Sequence, residues 1–122
     1  MNEKVLKSLF DIKIAMEEID SFFPSGKLSL ADYKSKLLLK RAVERNLEII
    51  GEAMNRILKE NPHFPIGSAV RIIGLRNQII HGYDSVSDEN IWAILVKHLP
   101  TLRREVEEII ENSGHGINTA NI

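Results

Sequence analysis

Apolar residues recur through positions 3 to 23 as Val5, Leu9, Ile12, Met16, Ile19 and Phe23, in alternating steps of four and three. Such steps keep one face of a 3.6-residue helix apolar, so the pattern predicts an amphipathic helix buried along that stripe. Phe23-Pro24-Ser25-Gly26 predicts the turn that ends it, because Pro lacks an N–H and Gly accepts backbone angles other residues avoid. A second helix is expected from near Ser29 to about Glu60. Leu39, Val43, Leu47, Ile50, Met54 and Ile57 form its buried stripe, and Arg41, Arg45, Glu48, Glu52 and Arg56 share the opposite side. At 1.5 Å per residue its roughly 30 residues would span about 45 Å. That exceeds the thickness of a small domain, so part of this helix is expected to pack against a second subunit.

Asn61-Pro62 and Phe64-Pro65 close the second helix. A third is predicted from about Ser68 to Ile80, with Val70, Ile73, Leu75, Ile79 and Ile80 as apolar positions and Gly82 just past its last turn. Ser85, Ser87 and Asp88 are candidate N-caps for a fourth helix. Its stripe is Ile91, Leu95, Leu99, Leu102, Val106 and Ile109, with a bend or offset expected at Pro100. After Glu111 the sequence NSGHGINTANI is polar and aperiodic and reads as a frayed tail. The expected fold is all-α: an antiparallel bundle of about four main helices, with one domain over residues 1–112 and a flexible tail at 113–122.

Composition adds boundaries to this picture. Apolar residues make up 43% and charged residues 27% of the 122, the balance of an ordinary globular chain large enough for one core. No run of about 18 apolar residues occurs, and the opening MNEKVLKSLF lacks the features of a signal peptide, so a cytoplasmic protein without a membrane partner is expected. The absence of cysteine rules out disulfides, thiolate metal sites and a cysteine nucleophile. The net charge of −1 carries no general affinity for nucleic acid. Any positive field for RNA must therefore be local, for instance in a cleft assembled by oligomerisation.

One compact cluster has reactive chemistry: Arg76, Asn77, His81 and Tyr83, straddling the end of the third helix. Asn77 and His81 are four apart and share a face. Arg76 is five from His81, about 140° around the helix, so its long side chain would have to bend to reach the same ligand. A two-fold dimer bringing two copies of this helix end together would place Arg and His from both chains around one cleft. A guanidinium grips phosphate through paired hydrogen bonds and stabilises charge in a phosphoryl transition state, while imidazole exchanges a proton near neutral pH. Together they suit metal-free RNA cleavage in which the 2′-hydroxyl is the nucleophile and no cofactor is needed. The plainer reading is that Arg76 makes a surface ion pair, His81 caps the helix carbonyls and Tyr83 packs with its hydroxyl outward.

Three segments carry a resemblance. Ile73-Gly74-Leu75-Arg76-Asn77-Gln78-Ile79-Ile80-His81-Gly82-Tyr83 resembles the signature of HepT-like HEPN proteins: Arg, four residues, His, one residue, Tyr. The stretch from Arg41 to Ala53 resembles that family's second helix, and Ile91-Trp92 followed by Leu99-Pro100 its last. The likeness covers most of residues 1 to 111. It implies a HEPN-like fold and a homodimeric, metal-independent endoribonuclease toxin paired with a small nucleotidyltransferase antitoxin. By that resemblance Arg76 and His81 would be catalytic, Asn77 would orient the site, and Tyr83 would receive AMP groups from the antitoxin. Each AMP would add an anionic phosphodiester to a cleft built for phosphate, blocking it.

The polar side of the second helix has two readings: Arg41, Arg45, Glu48 and Glu52 form either a solvated face of spacing-four ion pairs or a wall of the dimer cleft. His63 in a Pro-flanked loop, His98 beside Lys97 and His115 in the tail form no ligand set at metal spacing. No Gly-rich phosphate loop occurs. Trp92 reads as a core or interface anchor. Besides a toxin acting on cellular RNA, two functions stay open: a non-catalytic helical partner or regulatory subunit of a minimal nucleotidyltransferase, and a plain structural module. The RNA target and any assembly beyond the dimer are not specified by the sequence.

Overall fold

The computed structural model describes residues 2–23, 26–82 and 87–114, the side chains of residues 81 and 82 excepted. Every regular element among them is helical: α1 (Glu3–Phe22), α2 (Leu30–Ser35), α3 (Leu37–Glu60), α4 (Ala69–Gly82), α5 (Asp88–Ala93), a π segment (Ile94–His98) and α6 (Leu99–Asn112). The expected all-α bundle is what forms. No helix among the described residues is long and apolar enough to cross a membrane.

Asn2 starts α1 by accepting hydrogen bonds at its side-chain oxygen from the backbone N–H of Lys4 and Val5, which would otherwise be orphans of the first turn. Val5, Leu9, Ile12, Met16 and Ile19 are all buried, as their spacing predicts, and Phe23 follows them into the core. Pro24 and Ser25 lie outside the described residues. Gly26 has a positive φ of 71°, the left-handed conformation for which the turn needs glycine.

The second helix is not continuous. Lys36, with φ −116° and ψ 104°, is extended and splits it into α2 and α3. The reason is Tyr33. In an unbroken helix it would sit about 85° from the centre of the Leu39–Ile57 stripe, at 100° per residue. The break turns it into the core, where it is wholly buried and its ring lies 6.1 Å from that of Trp92. Trp92 in turn meets the edge of Phe23 at 6.3 Å. Ion pairs from Lys34 to Glu89 (3.0 Å) and from Lys40 to Asp88 (2.9 Å) tie both sides of the break to α5. The turn leaves Leu37 and Leu38 exposed. It also shortens α3 to 24 residues, about 36 Å rather than 45 Å.

Ser29 caps α2 by accepting from the N–H of Asp32. All six predicted stripe residues of α3 are buried, and α3 lies between α1 and α4 as the central helix. Buried Asn46 locks α3 to α1 by donating to the carbonyl of Ala15 (3.0 Å) and to Glu18 (2.9 Å). Arg103 ties α6 to α1 through Asp20 at 2.7 Å.

Glu105 of α6 receives the N–H of Gly67 at 2.9 Å and the hydroxyl of Ser68, holding the approach to α4. In α4 the buried residues are Ala69, Ile72 and Leu75; of the other apolar positions named from the sequence, Ile73 and Ile79 are partly buried against the core, whereas Val70 is 81% exposed and Ile80 is 41% exposed. The helix thus buries only part of the apolar set named from the sequence. It also runs through Gly82 rather than ending before it.

Ser87 caps α5 by accepting from the N–H of Asn90; Ser85 is outside the described residues. The offset expected at Pro100 is realised as the π segment. Pro100 has no N–H for the carbonyl of residue 96, and its ring crowds that carbonyl. The N–H of Leu99 reaches back five residues to Ile94, admitting one extra residue to the turn. Downstream Leu102, Val106 and Ile110 are buried, and Ile109, assigned to the stripe by its spacing, is only partly buried.

The candidate functional site at the α3–α4 junction

Arg76 is placed by a glycine on the facing helix. Gly51 is buried in α3, and a Cβ there would overlap the Cβ of Arg76 and lie 2.7 Å from its Cγ and 3.4 Å from the carbonyl oxygen of Ile72. Only hydrogen at position 51 lets α4 lie this near α3 with the stem of Arg76 between them. The guanidinium emerges beside the next residue, Glu52, with Nη2 3.9 Å from its Oε1. That separation is longer than a hydrogen bond and acts as an electrostatic tether. Nη1 donates to Oδ1 of Asn77 at 3.0 Å. Nε is buried without a hydrogen-bond partner among the described residues. The side chain as a whole is 25% exposed, so the guanidinium is oriented yet reachable.

The structure brings Arg76, Asn77 and Glu52 together. The rest of the proposed wall is arranged otherwise: Arg41 pairs with Glu44 at 2.9 Å and Arg45 with Glu48 at 3.2 Å, at spacing three rather than the expected four. Along the α3 axis Arg45 is about 10 Å and Arg41 about 16 Å from Glu52. Asn77 and His81 occupy one continuous helix, four residues apart, so their backbone positions share a face. The side chain of His81 and the whole of Tyr83 lie outside the described residues.

A second polar feature borders the same helix. Arg71, Gly74, Leu75 and Gln78 of α4 and Asn90, Ala93, Ile94 and His98 across from them line a cleft of about 300 Å³. Partial burial, then the cations Arg71 and Lys97, hold the His98 imidazole below its usual protonation range.

Sequence reasoning missed Gly51 as a positioning residue and passed over His98. An isolated glycine inside a strongly periodic helix was the available signal for the first, since such a glycine often marks close packing. For the second, nothing local indicated that α4 would lie across from the π segment.

The profile of the family described as Ribonuclease HepT-like matches residues 12–109. The chain is 36% identical over 86 residues to "Putative RNase TTE0752" of Caldanaerobacter subterraneus, covering 69% of this chain and 76% of that protein. It is 31% identical over 108 residues to "Putative RNase MJ1216" of Methanocaldococcus jannaschii, covering 85% of each. The same identity over the same length relates it to "Putative RNase MJ0125" of that organism, covering 85% of this chain and 89% of the relative. No solved structure matches the chain at a significant level. With four-fifths of its length inside the family profile and the Arg76 strip within that span, the chain belongs to the Ribonuclease HepT-like family.

Proposed function

We propose that this protein is a metal-independent endoribonuclease toxin that cleaves cellular RNA at a site formed by Arg76 and His81 across a homodimer interface. The observation that carries the reading is the setting of Arg76: fixed by Gly51 at its stem, oriented by Glu52 and Asn77 at its tip, and retaining an unpartnered buried donor among the described residues. The ribonuclease family and the RNase names of its relatives agree with it. Exposed Val70 and Ile80 on α4 supply apolar surface for a second copy, in keeping with the dimer.

In this reading the RNA 2′-oxygen bonds to phosphorus and the bond to the 5′-oxygen breaks, leaving a 2′,3′-cyclic phosphate and a 5′-hydroxyl. Arg76 stabilises the charge gathering on the phosphoryl oxygens. His81 moves the proton. Asn77 and Glu52 hold the guanidinium, so little orientation is lost on binding. Tyr83, two residues past His81, is the position where a nucleotidyltransferase antitoxin attaches AMP, silencing the site.

The test is cleavage of total cellular RNA in EDTA by unmodified wild type, Arg76→Ala and His81→Ala, each confirmed folded and dimeric. Cleavage by wild type, with both variants reduced by about 100-fold or more, is expected from loss of transition-state stabilisation or proton transfer. Intact RNA with wild type shown by mass to lack AMP would reject catalysis and favour the non-catalytic partner of a nucleotidyltransferase.

A further inference from the structure

We infer that the cleft between α4 and the π segment is a subsite for the single-stranded RNA flanking the cleavage position, with Arg71 and His98 holding a backbone phosphodiester and Gln78 and Asn90 facing its nucleoside. The inference rests on the ribonuclease reading and supplies what that reading lacks, a local positive field on a chain of net charge −1.

The charges point here. Ten lysines and arginines are matched with a carboxylate: Lys4, Lys7, Lys34, Lys36, Lys40, Arg41, Arg45, Arg56, Arg76 and Arg103. Arg71 and Lys97 are two of the six without such a partner among the described residues, the others being Lys13, Lys27, Lys59 and Arg104, and the groups that set the protonation of His98 include Arg71 and Lys97 and no acid. The cleft between α1 and α3 near Lys4 and Arg56 differs in containing carboxylates: Asp11 and Glu60 pair with Lys4, Lys7 and Arg56, and Lys59 stays unmatched among the described residues. Unmatched cations around a concave site attract a polyanion, and low-dielectric walls strengthen the field.

The position fits as well. Gly74 and Gln78 lie seven and three residues before His81, on the same strip of α4 as its backbone position. Arg71 is ten residues from it, about 15 Å along the axis. The cleft therefore flanks the backbone position of His81, on the side of α4 away from Arg76. Gly74 has open space where a side chain would stand, so the strand can pass along this strip. The far wall is the π segment, whose extra residue places His98 and Ile94 together on the cleft. Irregular turns of this kind recur at functional sites.

The experiment uses the full-length, unmodified protein and a short 2′-O-methyl oligoribonucleotide, which lacks the nucleophile and cannot be cleaved. Binding is followed by fluorescence anisotropy over a salt series for wild type, Arg71→Ala, Arg71→Lys, His98→Gln and Lys59→Ala. Arg71→Ala is expected to weaken binding roughly tenfold at low salt and to flatten the salt dependence by about 0.7 in log–log slope, the share of one phosphate contact. Arg71→Lys should restore the slope, His98→Gln should weaken binding several-fold, and Lys59→Ala should change neither quantity. Nuclear magnetic resonance should also find the His98 titration raised when the oligonucleotide is bound. If wild type binds and cleaves RNA while Arg71→Ala keeps its affinity and slope, the subsite is wrong and the ribonuclease reading stands. An equal loss in Lys59→Ala would assign binding to diffuse charge and overturn the subsite. If wild type neither binds nor cleaves, both readings fall.

Discussion

Gly51 of α3 lies so near Arg76 of α4 that any side chain at position 51 would overlap the Cβ of the arginine. The helix pair and the site are thus set by one contact. Gly51→Ala gains about 1 kcal/mol of helix propensity but meets the fixed base of the Arg76 side chain rather than a movable tip. Overpacking of this kind costs about 1–3 kcal/mol. A net loss of about 1 kcal/mol in chemical denaturation is expected, with RNA cleavage falling by a larger factor than stability alone explains.

Glu52 tethers the guanidinium without burying it. A partly exposed pair adds at most about 1 kcal/mol to stability. Glu52→Gln should therefore leave the denaturation midpoint nearly unchanged. Loss of orientation should lower kcat for RNA roughly tenfold or more, while Arg76 itself remains in place. An unchanged kcat would remove Glu52 from the site.

Val70 presents apolar surface on the outer side of α4, one residue before Arg71 and one turn and a half before Arg76. Val70→Asp leaves the core of one subunit intact. It should shift sedimentation from dimer to monomer, and cleavage should fall with the dimer fraction. A dimer that persists unchanged would place the interface elsewhere.

Tyr33 is fully buried, and its hydroxyl has no hydrogen-bond partner among the described residues. Burial, reinforced by the nearby carboxylates of Glu44 and Asp88, pushes its phenol well above the ordinary range. Removing an unsatisfied buried hydroxyl is neutral or stabilising, so Tyr33→Phe should raise the midpoint slightly, by up to about 1 kcal/mol. The raised phenol is a stabilising term below the unfolded value near 10 and is lost as pH rises beyond it. The alkaline loss of stability in wild type, above about pH 10, should therefore be shallower in Tyr33→Phe, as measured by thermal melts across that range.

The stripes of α1 and α3, the helix start near Ser29 and the Ser87 cap were legible in the chain because each depends on neighbours within one or two turns. The break at Lys36 was not. Its residues are helix formers, and the extended backbone follows from burying Tyr33 against Trp92, a contact nearly sixty residues away in sequence. In α4 the apolar positions divide for a related reason: an apolar residue marks a candidate for burial, and packing buries Leu75 together with Ala69 and Ile72 while Val70 stays exposed.

The same division holds at the site. Sequence by itself determined the helical class, the order of the helices and the family-like strip from Arg76 to Tyr83, all of which lie in local pattern and residue identity. Tertiary structure decided that Gly51 admits Arg76, that Glu52 rather than Arg41 or Arg45 stands beside it, and that Arg71 and His98 share a cleft. Those relationships join separate helices, and periodicity within a helix carries no information about which neighbour it meets.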